Sequence, residues 1–282
     1  MANPQPKKAP SSRLDPASIG GVVVGVGGIL AGLILDKGKI TDVEQVNAAL
    51  IVFGGTLGAV MLNTPLEVLM GAARKLGSVF FERVQPIAQT IDEIIGHATH
   101  ARKQGIVSLE DEAAKIQDPF LRKALNLAVD GIEMSQIRSI MELEIDLMEQ
   151  RGEAEAKAFE TAGGYSPTIG IIGAVLGLMQ VMKSLANIDE VGRGIAAAFV
   201  ATVYGVGAAN LFFLPASGKL RARLRSQVQF RELMLEGVLA IVEGLNPKLI
   251  RTRLEAYLVQ PTRKEKPARE SRAASETAAA EG

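Results

Sequence analysis

The 282-residue sequence lacks cysteine altogether and has only two histidines, His97 and His100. A disulfide framework, a thiol nucleophile, an iron–sulfur cluster and a cysteine-ligated zinc are thereby excluded, and a histidine-rich metal site is hard to build. Neither sign of charge is in surplus, since 31 basic and 31 acidic side chains cancel. A nucleic-acid binder relying on counterion release carries a basic excess, and a disordered chain combines low hydrophobicity with high net charge. With 48% apolar residues the chain fits neither description, and no nucleic-acid partner is expected. Aromatic residues are scarce at 4%, whereas glycine is plentiful.

Charge is also missing locally. The runs 16–35, 45–66, 161–182 and 194–218 contain no Asp, Glu, Lys, Arg or His. Each is about 20 to 25 residues long, which as α-helix spans roughly 30 Å of hydrocarbon. Soluble core helices rarely run so far without one charge, and four of them would need a larger polar shell than this chain supplies. The pattern predicts an all-α membrane protein with four transmembrane helices and a large helical cytoplasmic domain.

Basic residues set the expected orientation. Lys7, Lys8 and Arg13 precede the first span, Arg74, Lys75 and Arg83 follow the second, and Lys219, Arg221, Arg223 and Arg225 follow the fourth. The short connectors carry only Lys37, Lys39 and Arg193. The positive-inside rule places both termini and the segment between spans two and three in the cytoplasm. The first span is too long for a typical signal-peptide core and lacks a clear A-x-A site, so it is expected to be retained.

The resulting organisation is a disordered tail 1–16, spans one and two in 17–66, a cytoplasmic helical domain 67–162, spans three and four in 163–217, C-terminal cytoplasmic helices 218–258 and a disordered tail 259–282. Within the cytoplasmic domain, Gln104-Gly105 breaks a helix, Ser108 with Asp111 resembles a capping box, and Asp118-Pro119 caps another helix. That helix, over 119–162, would be about 60 Å long. Gly163-Gly164 is expected to hinge it from the third span, and Asn246-Pro247 to interrupt the C-terminal helices.

Small residues recur at four-residue spacing: Gly21/Gly25, Gly28/Gly32, Gly54/Gly58, Gly173/Gly177, and Gly194, Ala198, Ala201, Gly205 and Ala209. In lipid such stripes let helix backbones approach closely. Ion paths place an ionisable group at membrane depth, and these spans have none. Either the protein conducts nothing or a partner brings the titrating carboxylate. Thr168, Gln180, Thr202, Tyr204 and Asn210 are the polar groups available to face such a partner. Pro167 and Pro215 mark the start of the third span and the end of the fourth.

These residues carry a resemblance. The run SPTIGIIGAVLGLMQVMKSL from Ser166 and the run GRGIAAAFVATVYGVGAANLFFLP from Gly192 resemble the last two membrane helices of the MotA/PomA family of flagellar stator subunits. ARKQGIVSLE from Ala101 and NPKLIRTRLEAYL from Asn246 are similar to that family's charged and C-terminal motifs. The likeness covers about residues 19–258. It implies a bacterial inner-membrane protein whose copies form a ring of five around a MotB-like dimer, each partner chain contributing one span and its aspartate. Ion passage turns the ring, which pushes on the rotor protein FliG. By motif position, Arg102, Lys103 and Glu110 match the rotor-facing charges, Pro167 and Pro215 the proline pair at the ion path, and Thr202 the pore-facing threonine. Ala174 stands where sodium-type relatives tend to carry threonine, which favours protons, although residues 202–210 look somewhat like sodium-type members.

An ExbB/TolQ-like energy transducer is the nearest alternative, although that class has a different number of spans. A non-conducting membrane scaffold also fits the uncharged spans. An enzyme fits least, with no metal constellation, no nucleotide loop and no Ser/His/Asp set, and no cofactor is expected; GVGGIL lacks the strand context of a dinucleotide fingerprint.

Overall fold

A computed structural model describes residues 12–83, 85–183 and 185–259. A three-residue antiparallel ladder pairs β1 (Ser12–Leu14) with β2 (Phe81–Arg83), Ser12 standing opposite Arg83. The helices are α1 (Pro16–Leu35), α2 (Val46–Asn63), α3 (Leu66–Lys75), α4 (Gly77–Phe80), α5 (Ile87–Gln104), α6 (Glu110–Ala113), α7 (Pro119–Val129), α8 (Met134–Lys183), α9 (Ile188–Val242) and α10 (Pro247–Val259). Four of them, α1, α2, α8 and α9, are long and apolar enough to cross a membrane, as the uncharged runs require. The chain divides into two compact units. The first comprises the described residues up to Pro86 with Arg138–Glu232, and the second Ile87–Ile137 with those from Leu233 onward.

Caps explain several boundaries. Asp15 accepts from the Ala17 amide with Pro16 in the first turn of α1. Asp118 accepts from the amides of Phe120 and Leu121 at 2.9 and 3.1 Å, with Pro119 opening α7. Pro167 and Pro215 behave differently. Helix α8 runs unbroken for 50 residues through Gly163, Gly164 and Pro167, so the expected hinge is absent and Pro167 lies in a helix interior. The break falls earlier, at Asp130–Glu133, where Gly131 adopts φ +76°. The expected helix over 119–162 is therefore two helices. Pro215 also lies inside a continuous helix, directly after a π-turn over Ala209–Phe213 in which the Leu214 amide bonds the Ala209 carbonyl. A proline has no N–H to give to the preceding turn, and a widened turn accommodates the interruption without ending the helix.

Two further expectations fail. Ser108 does not form a capping box: its hydroxyl donates to the Gly105 carbonyl at 2.6 Å, and residues Ile106–Leu109 form a 3-10 turn. The last residues of the supposed disordered tail 1–16 are ordered as β1. Residues 1–11 and 260–282, the rest of both tails, lie outside the described residues.

In the first unit, Ala48, Val52, Val200 and Ala201 form one buried cluster with Tyr204 against it, and Val79, Ala156, Ala216 and Leu220 form another. Beside the second cluster, α8 buries a carboxylate. Glu155 has only 4% of its side chain exposed and pairs with Lys75 at 2.5 Å, with Arg151 farther off at 3.6 Å. Removing one partner of a buried pair leaves a charge without compensation, which costs about 3 kcal/mol or more. Lys75→Met is therefore expected to lower the melting temperature of the detergent-solubilised protein more than Glu155→Gln does, because Lys75 is 44% exposed and regains water when its partner is neutralised. Losses under about 1 kcal/mol in both variants would show that the pair contributes no more than a surface contact.

Candidate functional site

The seam between α8 and α9 is built from glycine and alanine. A Cβ placed on Gly205 would lie 2.5 Å from the Ser166 carbonyl oxygen, 3.1 Å from the Gly170 Cα and 3.3 Å from the Pro167 Cα. A Cβ on Gly170 would meet the Ala201 carbonyl at 2.9 Å, and one on Gly177 would meet the Gly194 carbonyl at 3.0 Å. Backbones touch along about three helical turns, the close approach that small-residue stripes permit in lipid. The stripe in α1 does nothing comparable within one chain: Gly21, Gly28 and Gly32 have nothing within 4 Å of a would-be Cβ, and only Gly25 meets a neighbour, Leu211.

Three of the four candidate ion-path residues flank this seam, and the fourth, Pro215, lies beyond it. Thr202 lies across it from Gly170, its Cα 3.5 Å from a Cβ built there. Pro167 faces Gly205, and Ala174, seven residues on, shares the same side of α8 by helical spacing. Pro215 follows Leu214, whose side chain fills the space a Cβ on Gly163 would occupy. Both prolines therefore stand toward the same end of the paired helices. Pro215 is nonetheless about 20 Å along α9 from Thr202 at 1.5 Å per residue, so the four are not brought together in one pocket.

Most polar groups of these spans bond to their own helix. The hydroxyls of Thr168 and Thr202 donate to the carbonyls of Tyr165 and Ala198 at 2.8 and 3.4 Å, and the Asn210 amide donates to Val206 at 2.9 Å. Each bond leaves the side-chain oxygen able to accept. Gln180 is exposed. Tyr204 is committed inside the chain, since its hydroxyl donates to the Val43 carbonyl and accepts from the Gln45 amide, tying the first connector to α9.

Sequence reasoning misses a clamp at the start of α1. Asp15 is buried and accepts from Ser18, from Lys219 and from Arg223, the last at 3.1 Å. Arg223 also donates to the Phe81 carbonyl at 2.5 Å, so one guanidinium joins α9, β2 and the cap of α1. Lys219, helped by Ser18 and the Ala17 amide against the cost of burial, holds the Asp15 carboxyl well below the usual carboxylate range. A depressed carboxylate adds stability that is complete above its unfolded value, near pH 4, and is lost as pH falls through the folded value. The clamp is thus fully formed at neutral pH. Asp15→Asn, nearly isosteric, is expected to lower the melting temperature at pH 7 and to flatten its dependence on acid below pH 4; an unchanged acid limb would mean that Asp15 is not coupled to folding. The only signal of it in the sequence is an aspartate immediately before the first span and arginines after the fourth.

In the second unit, Arg102 and Lys103 end α5 and Glu110 opens α6, all three exposed and, among the described residues, free of ion pairs. Between them Gly105 adopts φ +86°, which only glycine takes without strain, and Leu109 is fully buried as an anchor. Glu112 braces the arrangement from below, its two oxygens meeting His97 Nδ1 at 2.8 Å and His100 Nδ1 at 3.0 Å. The two histidines thus fix the loop that presents the charges. Among the described residues no cluster of His, Asp or Glu could hold a metal ion.

Four spans, a tightly packed helix pair without membrane-depth charge, and an exposed charged loop define a multi-span membrane protein. The model of the MotA/TolQ/ExbB proton channel family matches residues 112–234, and the chain belongs to this family. Its branch is that of the flagellar motor stator subunits. The chain is 35% identical to Motility protein A of Bacillus subtilis (strain 168), covering 87% of this chain and 91% of the relative. Its fold matches the C. jejuni MotAB structure with a TM-score of 0.83 at 29% identity, over 90% of this chain and all of that one. It matches the flagellar MotAB stator complex of Bacillus subtilis at 0.80 and 35% identity, over 86% and 96%.

Proposed function

We propose that the chain assembles as a ring of five around a MotB-like dimer in the inner membrane, with both termini cytoplasmic, and that ion flow at the partner's aspartate drives rotation against FliG. The observation that carries this reading is the pairing of a backbone-tight α8–α9 seam with spans that hold no Asp, Glu, Lys, Arg or His. A partner must supply the proton-carrying carboxylate, because the neutral wall has no group to bind and release an ion. Thr202 offers a hydroxyl oxygen beside that path, Ala174 offers none, and this pairing favours protons over sodium as the carried ion. Pro167 and Pro215, each inside a helix and short of one backbone bond, are the places where α8 and α9 can change bend when the partner's charge changes. No step calls for enzymatic chemistry or a cofactor.

The test is ion flux in liposomes with and without the MotB-like partner. The chain alone is expected to pass no protons above background, and the co-expressed pair to pass them. Pro167→Leu and Pro215→Leu are each expected to abolish motility while the complex still purifies intact. Flux through the chain alone would overturn the partner role, and loss of assembly in the leucine variants would reduce the prolines to helix-shaping residues.

A further inference from the structure

At the membrane boundary formed by the two short connectors, a cleft of about 410 Å³ opens between the start of α2, the end of α8 and the start of α9. Its size is that of a small-molecule site, roughly 300–1,000 Å³. The inner wall is apolar, made by Ala48, Ile51, Gly173, Leu176 and Ala197. The mouth is polar, made by Gln45, Asn47, Gln180, Glu190 and Arg193. Glu190 and Arg193 are three residues apart on one helix face, both are exposed, and no ion pair joins either to another described residue. Arg193 uses only its Nε, which donates to the Asp189 carbonyl at 3.3 Å, leaving its two terminal nitrogens uncommitted. The mouth therefore sets one cation and one anion a helical turn apart, among three amide side chains, directly above a hydrocarbon wall.

We propose that this cleft holds a zwitterionic phospholipid with a primary-amine headgroup. The lipid phosphate sits on the Arg193 guanidinium and its ammonium on the Glu190 carboxylate, matching the cation and anion in charge and order. Gln45, Asn47 and Gln180 donate to phosphate and ester oxygens, and an acyl chain lies along Ile51 and Leu176. An anionic phosphatidylglycerol has nothing to give Glu190. A phosphatidylcholine has the positive charge but no N–H to donate to the carboxylate. A soluble aminoalkyl phosphate could use the mouth but would leave the apolar wall in contact with water, which favours the lipid as the occupant.

The experiment uses the full chain co-purified with its MotB-like partner in detergent, titrated with dioctanoyl phosphatidylethanolamine, phosphatidylcholine and phosphatidylglycerol and read by native mass spectrometry. Phosphatidylethanolamine is expected to bind at least about tenfold more tightly than the other two. Glu190→Gln should erase that preference and Arg193→Gln should weaken all three lipids, with melting temperatures unchanged because both side chains are exposed. Equal binding of the three lipids, or an unaltered preference in Glu190→Gln, overturns the proposal. Displacement of the lipid by glycerophosphoethanolamine at equal concentration overturns it in favour of the soluble headgroup. Crosslinking of Gln180→Cys to a neighbouring copy, with no lipid retained, overturns it in favour of a subunit contact. Lipid retention is read without ion flow or torque, so this result is independent of the functional reading above.

Discussion

Gly205→Ala is expected to destroy the stator subunit, while Gly207→Ala, two residues along the same helix, leaves it unaffected. A methyl group on Gly205 would sit 2.5 Å from the Ser166 carbonyl oxygen, whereas one on Gly207 would meet nothing within 4 Å. Backbone is the obstacle at Gly205, so no rotamer change relieves the clash and the two helices must separate. Overpacking a tight site costs roughly 1–3 kcal/mol when side chains can adjust, and a backbone obstacle puts this substitution at or above the upper end. Separation also moves Pro167 and Thr202 away from each other across the same contact. The measurements are the melting temperature in detergent and the swimming fraction of cells carrying each variant. Normal motility with Gly205→Ala would show that the seam is looser in the assembled ring than in the single chain.

Arg102→Glu is expected to stop or nearly stop swimming without changing the amount of protein in the membrane. Arg102 is exposed at the last turn of α5, and exposed charges contribute under about 1 kcal/mol to folding, so the variant should fold. On the rotor-facing role that the family resemblance implies, its effect falls on an outside partner. A charge opposite on the rotor acts over a screening distance of about 8 Å at physiological salt, and reversing its sign turns attraction into repulsion. A compensating acidic-to-basic change on FliG should restore rotation, and raising ionic strength should narrow the gap between variant and parent. Glu110 and Lys103 should follow the same rule with their own signs. Full speed across a range of ionic strengths, or no rescue by any rotor substitution, would remove these residues from the interface.

Arg102, Lys103 and Glu110 are singled out in the sequence by motif position, through the resemblance that ARKQGIVSLE carries, and the helix break at Gly105 beside them is a local signal. How they are held is not legible there. Leu109 as buried anchor and Glu112 between His97 and His100 depend on α5 and α6 packing together, and nothing in the spacing announces that both histidines meet one carboxylate. By sequence Tyr204 is one of the polar residues free to face a partner, but the connector at Val43 and Gln45 occupies its hydroxyl.

The sequence by itself determined the class of protein. Four long uncharged runs have the length of a bilayer, the absence of a membrane-depth carboxylate left either a non-conducting protein or a partner-supplied carboxylate, and the motifs of the last two spans pointed to the second. Tertiary structure alone decided where the helices bend and what holds them. Gly163-Gly164 and Pro167 read locally as a hinge, yet Gly163 is a close-packing site against Leu214, and the helix runs through all three because contact with α9 outweighs the propensity to break. Pro215 is carried by a π-turn rather than ending its helix. Asp15 meets Lys219 and Arg223, the latter 208 residues away along the chain. Distance in sequence conceals that pairing, because a local pattern records what each residue prefers and only the folded chain records which residues it finds.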